Sequence, residues 1–182
     1  MAKLNYTAIT SLDGYVADQE GKWDWSFPTP EVHAFVNDLE RSTGTYLLGR
    51  RMYEVLAVWD TIDDDAPEMR DYAKIWRSAE KIVFSKTLNT VSSKKTRIEE
   101  QFDPHAVKAL KESATQDIGI GGPGLAAHAL RAGLVDEIHL LMSPVIVGGG
   151  NPALPADLRL DLELLSERSF DNGVVHMHYA TR

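Results

Sequence analysis

The chain contains no cysteine, which excludes thiol nucleophiles, disulfides and cysteine-based zinc sites. It is also poor in positive charge: 19 Lys and Arg stand against 27 Asp and Glu, a net charge of -8. Nucleic acids and anionic membranes both require a basic footprint, so neither is expected as a partner. No apolar run approaches ~20 residues, the length a membrane span needs. The opening "MAKLNYTAIT" lacks the basic lead and apolar stretch of a signal peptide, and a cytoplasmic location is expected. Internal repeats, low-complexity tracts and linker-like runs are absent. So are the G-x-S-x-G nucleophile turn and the P-loop lysine.

What is present is an ordinary globular composition, 43% hydrophobic and 25% charged over 182 residues. That length suits one domain, residues 1–182, with a sizeable core. Strand-like segments fall at Lys3–Thr10, Thr45–Leu48, Lys81–Phe84, Thr96–Glu99, Asp117–Ile120 and Glu137–Met142. Two more, Glu163–Phe170 and Val174–Ala180, flank Asn172-Gly173, a two-residue hairpin signal. Helical patterns lie between them. "TPEVHAFVNDLERSTG" puts Val32, Phe35, Val36 and Leu39 on one face, with Thr29 as N-cap. "RRMYEVLAVW", "APEMRDYAKIW", "DPHAVKALKESA" and "PGLAAHALRAGL" follow, the last two with Pro at the start. Alternating strands and helices imply parallel crossings, and the final hairpin adds antiparallel strands.

"DIGIGGPGLAAHAL" reads as a strand, a glycine turn and a helix start. Gly119, Gly121 and Gly124 match G-x-G-x-x-G by spacing. Free N–H groups and the helix dipole favour an anion at such a turn, although any tight strand-to-helix turn can use glycine. A Rossmann site would want an acid about 20 residues on, at the far end of the next strand. Here Asp136 and Glu137 stand at that strand's entrance, and Ser143-Pro144 closes it. The Rossmann reading fails and the phosphate-cradle reading stays open.

Three further stretches, "AITSLDGYVADQEGKWDW", "LLGRRMYE" and "VFSKTL", join "IGIGGPGLAAHALRAGLVDEIHLLMSPVIVGGG" in order along nearly the whole chain. Together they resemble the dihydrofolate reductase-like superfamily. They are most similar to its branch related to the carboxyl-terminal reductase domain of the riboflavin-biosynthesis deaminase/reductase. The resemblance implies an α/β three-layer fold, with a mixed, mostly parallel sheet of about eight strands, helices on both faces and a C-terminal antiparallel hairpin.

It also implies an NADPH-dependent reductase that transfers a hydride to a C=N or C=O bond of a small heterocycle of pterin or ribosylaminopyrimidine type. The alternative is a non-catalytic protein of the same fold that binds NADP(H) or a metabolite. Carried over residue by residue, Gly121, Gly122, Gly124 and Leu125 would hold phosphate, with a cis peptide between Gly121 and Gly122. Gly49, Arg50 and Arg51 would meet adenosine-side phosphates, and Ser85 and Lys86 the 2′-phosphate. Ile9, Thr10, Val16 and Ala17 would line the nicotinamide. Solvated arginines and a polar turn are the plainer readings of Arg50-Arg51 and Ser85-Lys86.

On the substrate side the resemblance points to Asp13, Trp25 and Glu31. Asp13-Gly14 is also a plain turn signal, and Trp25 could equally pack on the following helix. Residues Asp18–Trp25 form a candidate lid. Dihydrofolate reductases carry a motif resembling W-x-L-P-x-[DE], whose carboxylate serves the pterin. In "WSFPTPE" Pro30 takes that position and Glu31 follows one residue late, in a first helical turn where the dipole favours an acid regardless. Glu31 is the one candidate catalytic residue. No metal site is expected. His176 and His178 share a strand face without a visible third ligand, which suggests solvent-facing histidines. The run "DTIDDDAPE" reads as a solvated loop and helix cap. Relatives often pair through their sheets, and the apolar run "EIHLLMSPVIVGG" is consistent with a homodimer.

Overall fold

Residues Leu4–Ser11 alternate between two apolar faces and form the first strand, β1, near the centre of the sheet. The computed structural model describes all 182 residues. The remaining strands are β2 (Tyr15–Ala17), β3 (Thr43–Gly49), β4 (Glu80–Phe84), β5 (Thr96–Glu99), β6 (Asp117–Gly121), β7 (Glu137–Ser143), β8 (Asn151–Pro152), β9 (Leu162–Ser169) and β10 (Val175–Thr181). The helices are α1 (Pro30–Glu40), α2 (Arg50–Leu56), α3 (Pro67–Ser78), α4 (Pro104–Ser113) and α5 (Pro123–Arg131). Eight strands form one sheet in the order β5-β4-β3-β6-β1-β7-β10-β9. The six from β5 to β7 run parallel, while β10 is antiparallel to both of its neighbours. The expected mixed sheet and closing hairpin are both present.

Alternation along the strands explains the layers. Leu47 on β3 faces a core shared with Leu125, Ala126, Ala129 and Leu130 of α5 and Val107 of α4. Its neighbours Tyr46 and Leu48 face the opposite side, where Tyr53 of α2 and Tyr72 and Trp76 of α3 pack. Val32 of α1 covers Leu141, Phe170 and Val174 at the antiparallel end of that second face. Local signals behave as expected. Thr29 caps α1 by accepting from Val32 N at 3.5 Å, and Asp103 caps α4 through His105 N at 2.9 Å. The hairpin turns at Asn172-Gly173, with Gly173 at φ +84°.

Three expectations need correction. No peptide bond is cis, Gly121–Gly122 included; the turn is made instead by Gly122 at φ +94°. The acidic run "DTIDDDAPE" is not wholly solvated, because Asp60 accepts the indole N–H of the fully buried Trp76 at 3.0 Å. His176 and His178 are not solvent-facing. His176 is buried and His178 half-buried, stacked with the buried His139 from the adjacent strand. Burial lowers His139 and His176 to about 4, the neighbouring His178 reinforcing the shift in both. Sequence periodicity shows which residues share one strand's face, but only strand order places His139 beside the other two.

Candidate active site

The parallel strands bring their carboxyl ends to one edge, where ligands of open α/β sheets bind. There β4, β3 and β6 lie side by side, with β1 and β7 next. Leu48 of β3 pairs with Gly121 of β6, and Gly49 pairs with Phe84 of β4. The predicted phosphate residues thus converge from three distant parts of the chain.

Both glycines of the β6 turn have steric reasons. A Cβ on Gly121 would stand 2.8 Å from Leu48 Cδ2 and 3.1 Å from Met52 Cγ. Gly122 needs its left-handed φ to turn from the strand into α5, and its missing side chain faces Met52 and the Gly49 backbone. Pro123 opens α5 without an N–H, so the free donors of the first turn are those of Gly124 and Leu125. Gly124 is exposed with open space where a Cβ would stand, while the Leu125 side chain is buried.

Arg50 starts α2 beside this turn. Its Nε donates to Glu54 Oε1 and its Nη1 to Thr87 Oγ1, each at 2.8 Å. The second bond ties α2 to the turn after β4. In that turn Ser85 Oγ accepts from Thr87 N at 3.2 Å and Leu88 N at 3.0 Å. Arg51 and Lys86 are exposed and form no ion pair, so both cations stay available to an anion. Thr87 was not singled out in the sequence. It reads as an ordinary turn residue until β3 and β4 are known to be neighbours.

At the other end of the row, a cavity of about 190 Å³ opens beside the ends of β1 and β7. Its walls include Ile9, Trp25, Val32, Ser143, Asn172 and Val174. Trp25 Nε1 is buried there without a hydrogen-bond partner. A buried indole N–H normally finds an acceptor; this one is covered by protein, and Trp25 belongs to the cavity wall as an aromatic side chain. Thr10 is buried at the end of β1, and Val16 packs against the main core. Ala17 pairs with Asn151 in the small β2–β8 ribbon. Ser143, Asn172 and Val174 were not anticipated, since only the fold brings the hairpin to this strand end.

Two substrate-side candidates are otherwise engaged. Asp13 accepts from Val147 N at 3.2 Å and Gly148 N at 2.8 Å, fastening the loop after β1 to the loop after β7. The Ser11 hydroxyl, with these amides, holds the Asp13 carboxyl below its usual range. Glu31 does not line the cavity. It pairs with Arg168 at 3.0 Å, each side chain about half exposed, and the guanidinium stacks over Phe170 and Phe35. The Asp18–Trp25 segment is a folded turn: Asp18 N donates to Lys22 O, and Asp18 Oδ1 accepts from Glu20 N and Lys22 N.

Comparison with known proteins agrees with this architecture. Residues 2–176 match the model of the RibD C-terminal domain. Uncharacterized protein YyaP of Bacillus subtilis (strain 168) is 30% identical over 176 residues, 94% of this chain and 90% of that protein. A Shewanella sp. PV-4 protein assigned to riboflavin biosynthesis superposes with a TM-score of 0.77 at 24% identity, over 100% of this chain and 99% of that one. Dihydrofolate reductase from Enterococcus faecalis, solved with NADP(H), gives a TM-score of 0.66 at 14% identity over 99% and 96% of the two chains. The solved structures establish the dihydrofolate reductase-like fold, and the family match establishes that the chain belongs to the RibD C-terminal domain family.

Proposed function

We propose that the protein is an NADPH-dependent reductase that transfers a hydride to a C=N or C=O bond of a small heterocycle, of pterin or ribosylaminopyrimidine type. The observation that carries this reading is the row Ser85–Thr87, Gly49-Arg50 and Gly121-Gly122 on three adjacent strand ends, running toward the Trp25 cavity. Such a row suits a long, anionic dinucleotide better than a single anion. The residues fit the group: the first turn of α5 has open space at Gly124 and leaves the Gly124 and Leu125 amides without helical partners. When bound, NADPH supplies the hydride; the hard chemistry belongs to the cofactor.

The protein's own contribution is position and dryness. Gly124 and Leu125 N–H groups and the Gly121-Gly122 backbone receive the pyrophosphate. Arg50, Arg51, Ser85 and Lys86 receive the adenosine-side phosphates, Arg50 by a planar fork of donors. Ile9, Thr10, Val16 and Ala17 flank the nicotinamide. The Trp25 ring gives the substrate a flat apolar wall, and Asp13 keeps the loop after β1 in place. With Glu31 held outside by Arg168, the proton comes from solvent. The protein acts in the cytoplasm; no helix is long and apolar enough to cross a membrane. The open edge of β9, with Leu164 and Leu165 exposed, supports a homodimer.

One observation favours the second reading, a binding protein without turnover: no carboxylate lines the cavity. NADPH oxidation, followed by absorbance against pterins and aminopyrimidine ribosides, separates the two. Turnover on any of them supports the reductase. Micromolar NADPH binding with no turnover on the panel supports the binding protein, and no shift in melting temperature with NADPH overturns the reductase and the NADP(H)-binding form of the alternative.

A further inference from the structure

Far from the strand ends just described, β7 and β10 build a second polar cluster. Glu137 opens β7 and Ser143 closes it, so the two clusters lie about 20 Å apart along the strand. Glu137 and His139 share one face of β7, and His178 lies directly opposite His139 on β10. His178 Nε2 stands 3.0 Å from Glu137 Oε2, and His139 Nε2 stands 4.0 Å from the same oxygen. Donor atoms of all three lie within 4.8 Å of one another. Their side chains are only 8–19% exposed, an unusual depth for three such groups with no role at the strand ends.

We propose that Glu137, His139 and His178 form a binding site for one divalent transition-metal ion, of the Zn²⁺ class. Two imidazoles and a carboxylate are a common donor set for such ions, with bonds of about 2.1 Å and donors about 3.4 Å apart in a tetrahedron. The separations of 3.0 and 4.0 Å bracket that value. The fourth position is left to water.

Each ligand is already backed by a partner, as metal-ligating residues usually are. His139 Nδ1 is 3.1 Å from His176 Nε2, and donation in that direction leaves the His139 Nε2 lone pair facing Glu137. His178 Nδ1 is 3.5 Å from Ser166 Oγ. Glu137 Oε1 is occupied by Lys3 Nζ at 2.5 Å, which orients Oε2 toward the imidazoles. The ion takes the place of the proton between His178 Nε2 and Glu137. The neutral ring then carries its proton on Nδ1, toward Ser166.

One adjustment is required. The His139 and His178 rings are stacked, with centroids 4.0 Å apart and planes 17° apart. Their lone pairs converge on a single ion only after rotation about χ2, a broad torsion for histidine, and the Nε2 separations and Nδ1 contacts given above readjust with it. The site would pin the antiparallel hairpin to the parallel part of the sheet and touches neither the Trp25 cavity nor the phosphate row.

Titration of the full-length, metal-free protein with Zn²⁺, and with Co²⁺ as a coloured probe, tests the site. The expected result is one ion per chain with micromolar affinity. Co²⁺ should give the strong visible bands of a four-coordinate centre, and Zn²⁺ should raise the melting temperature. His178→Gln and Glu137→Gln should each weaken binding at least tenfold and remove the Co²⁺ bands. His105→Gln, on the exposed face of α4, should leave binding unchanged. Absence of saturable one-to-one binding to the unaltered protein overturns the proposal whatever the variants do. Binding by a folded His178→Gln variant that equals the unaltered protein overturns it as well.

Discussion

Arg50 Nη1 donates to Thr87 Oγ1 at 2.8 Å, so the first residue of α2 is fastened to the turn that follows β4. The same guanidinium pairs with Glu54 on its own helix. These two bonds hold the side chain along the strand-end edge with its remaining donors free. A surface ion pair of this kind adds ~0–1 kcal/mol to stability, whereas a charge-assisted bond to phosphate is stronger. Arg50→Ala should therefore weaken NADPH binding about 10- to 100-fold. Its melting temperature should stay within a few degrees of the parent. Titration of NADPH fluorescence beside a thermal melt measures both, and unchanged affinity would remove Arg50 from the cofactor site.

Gly122 tests the turn itself. At φ +94° any L side chain is strained, whatever space surrounds it. Gly122→Ala should cost on the order of 1–3 kcal/mol in stability and reduce NADPH affinity as the backbone shifts. Gly124→Ala is the control, because nothing approaches the Gly124 position and α5 already contains it. That variant should be neutral or slightly stabilising by urea denaturation.

How far the site could be read from the sequence depended on whether its parts were local. Caps, the Asn172-Gly173 hairpin and the strand-turn-helix at Gly121 rest on neighbouring residues, and all three form as expected. Which elements lie side by side depends on strand order, which periodicity does not encode. The contact of Arg50 with Thr87 was therefore hidden, as were Asn172 beside the cavity and His139 against His178. Glu31 shows the opposite case. Its position in a first helical turn was ambiguous in sequence, and Arg168, 137 residues away, engages it.

Glu40 gives a pH-dependent prediction. Its carboxyl is buried at the end of α1, where burial raises its proton affinity more than the Tyr46, Thr7 and Thr43 hydroxyls lower it. Thr43 Oγ1 donates to it at 3.3 Å. A carboxyl raised in the folded state binds its proton more tightly there than in the unfolded chain. Its contribution to stability is complete below the unfolded value near 4.5 and is lost as pH rises through the folded value. Glu40→Gln keeps the shape without the charge. Melting temperatures from pH 4 to 8 should show the variant gaining on the parent as pH rises, with no gain at the acid end. A constant offset across that range would contradict the assignment.

Glu31 supplies the sharpest test of how the substrate is protonated. Its carboxylate is half exposed, paired with Arg168 at 3.0 Å, and absent from the walls of the Trp25 cavity. An acid that delivered a proton would need to come within hydrogen-bond reach of the substrate. To do so Glu31 must leave Arg168, whose guanidinium lies over the adjoining Phe35 and Phe170 rings. Glu31→Gln should therefore leave kcat within about threefold of the parent, because general acid catalysis is worth ~10²–10⁴ and none of it is lost. Stability should fall by no more than ~1 kcal/mol, the upper end for an exposed pair. Steady-state kinetics across pH 5–9 decide the matter. A hundredfold fall in kcat with KM unchanged, together with loss of the acidic limb of the profile, would return Glu31 to the reaction and require the Arg168 pair to open during turnover.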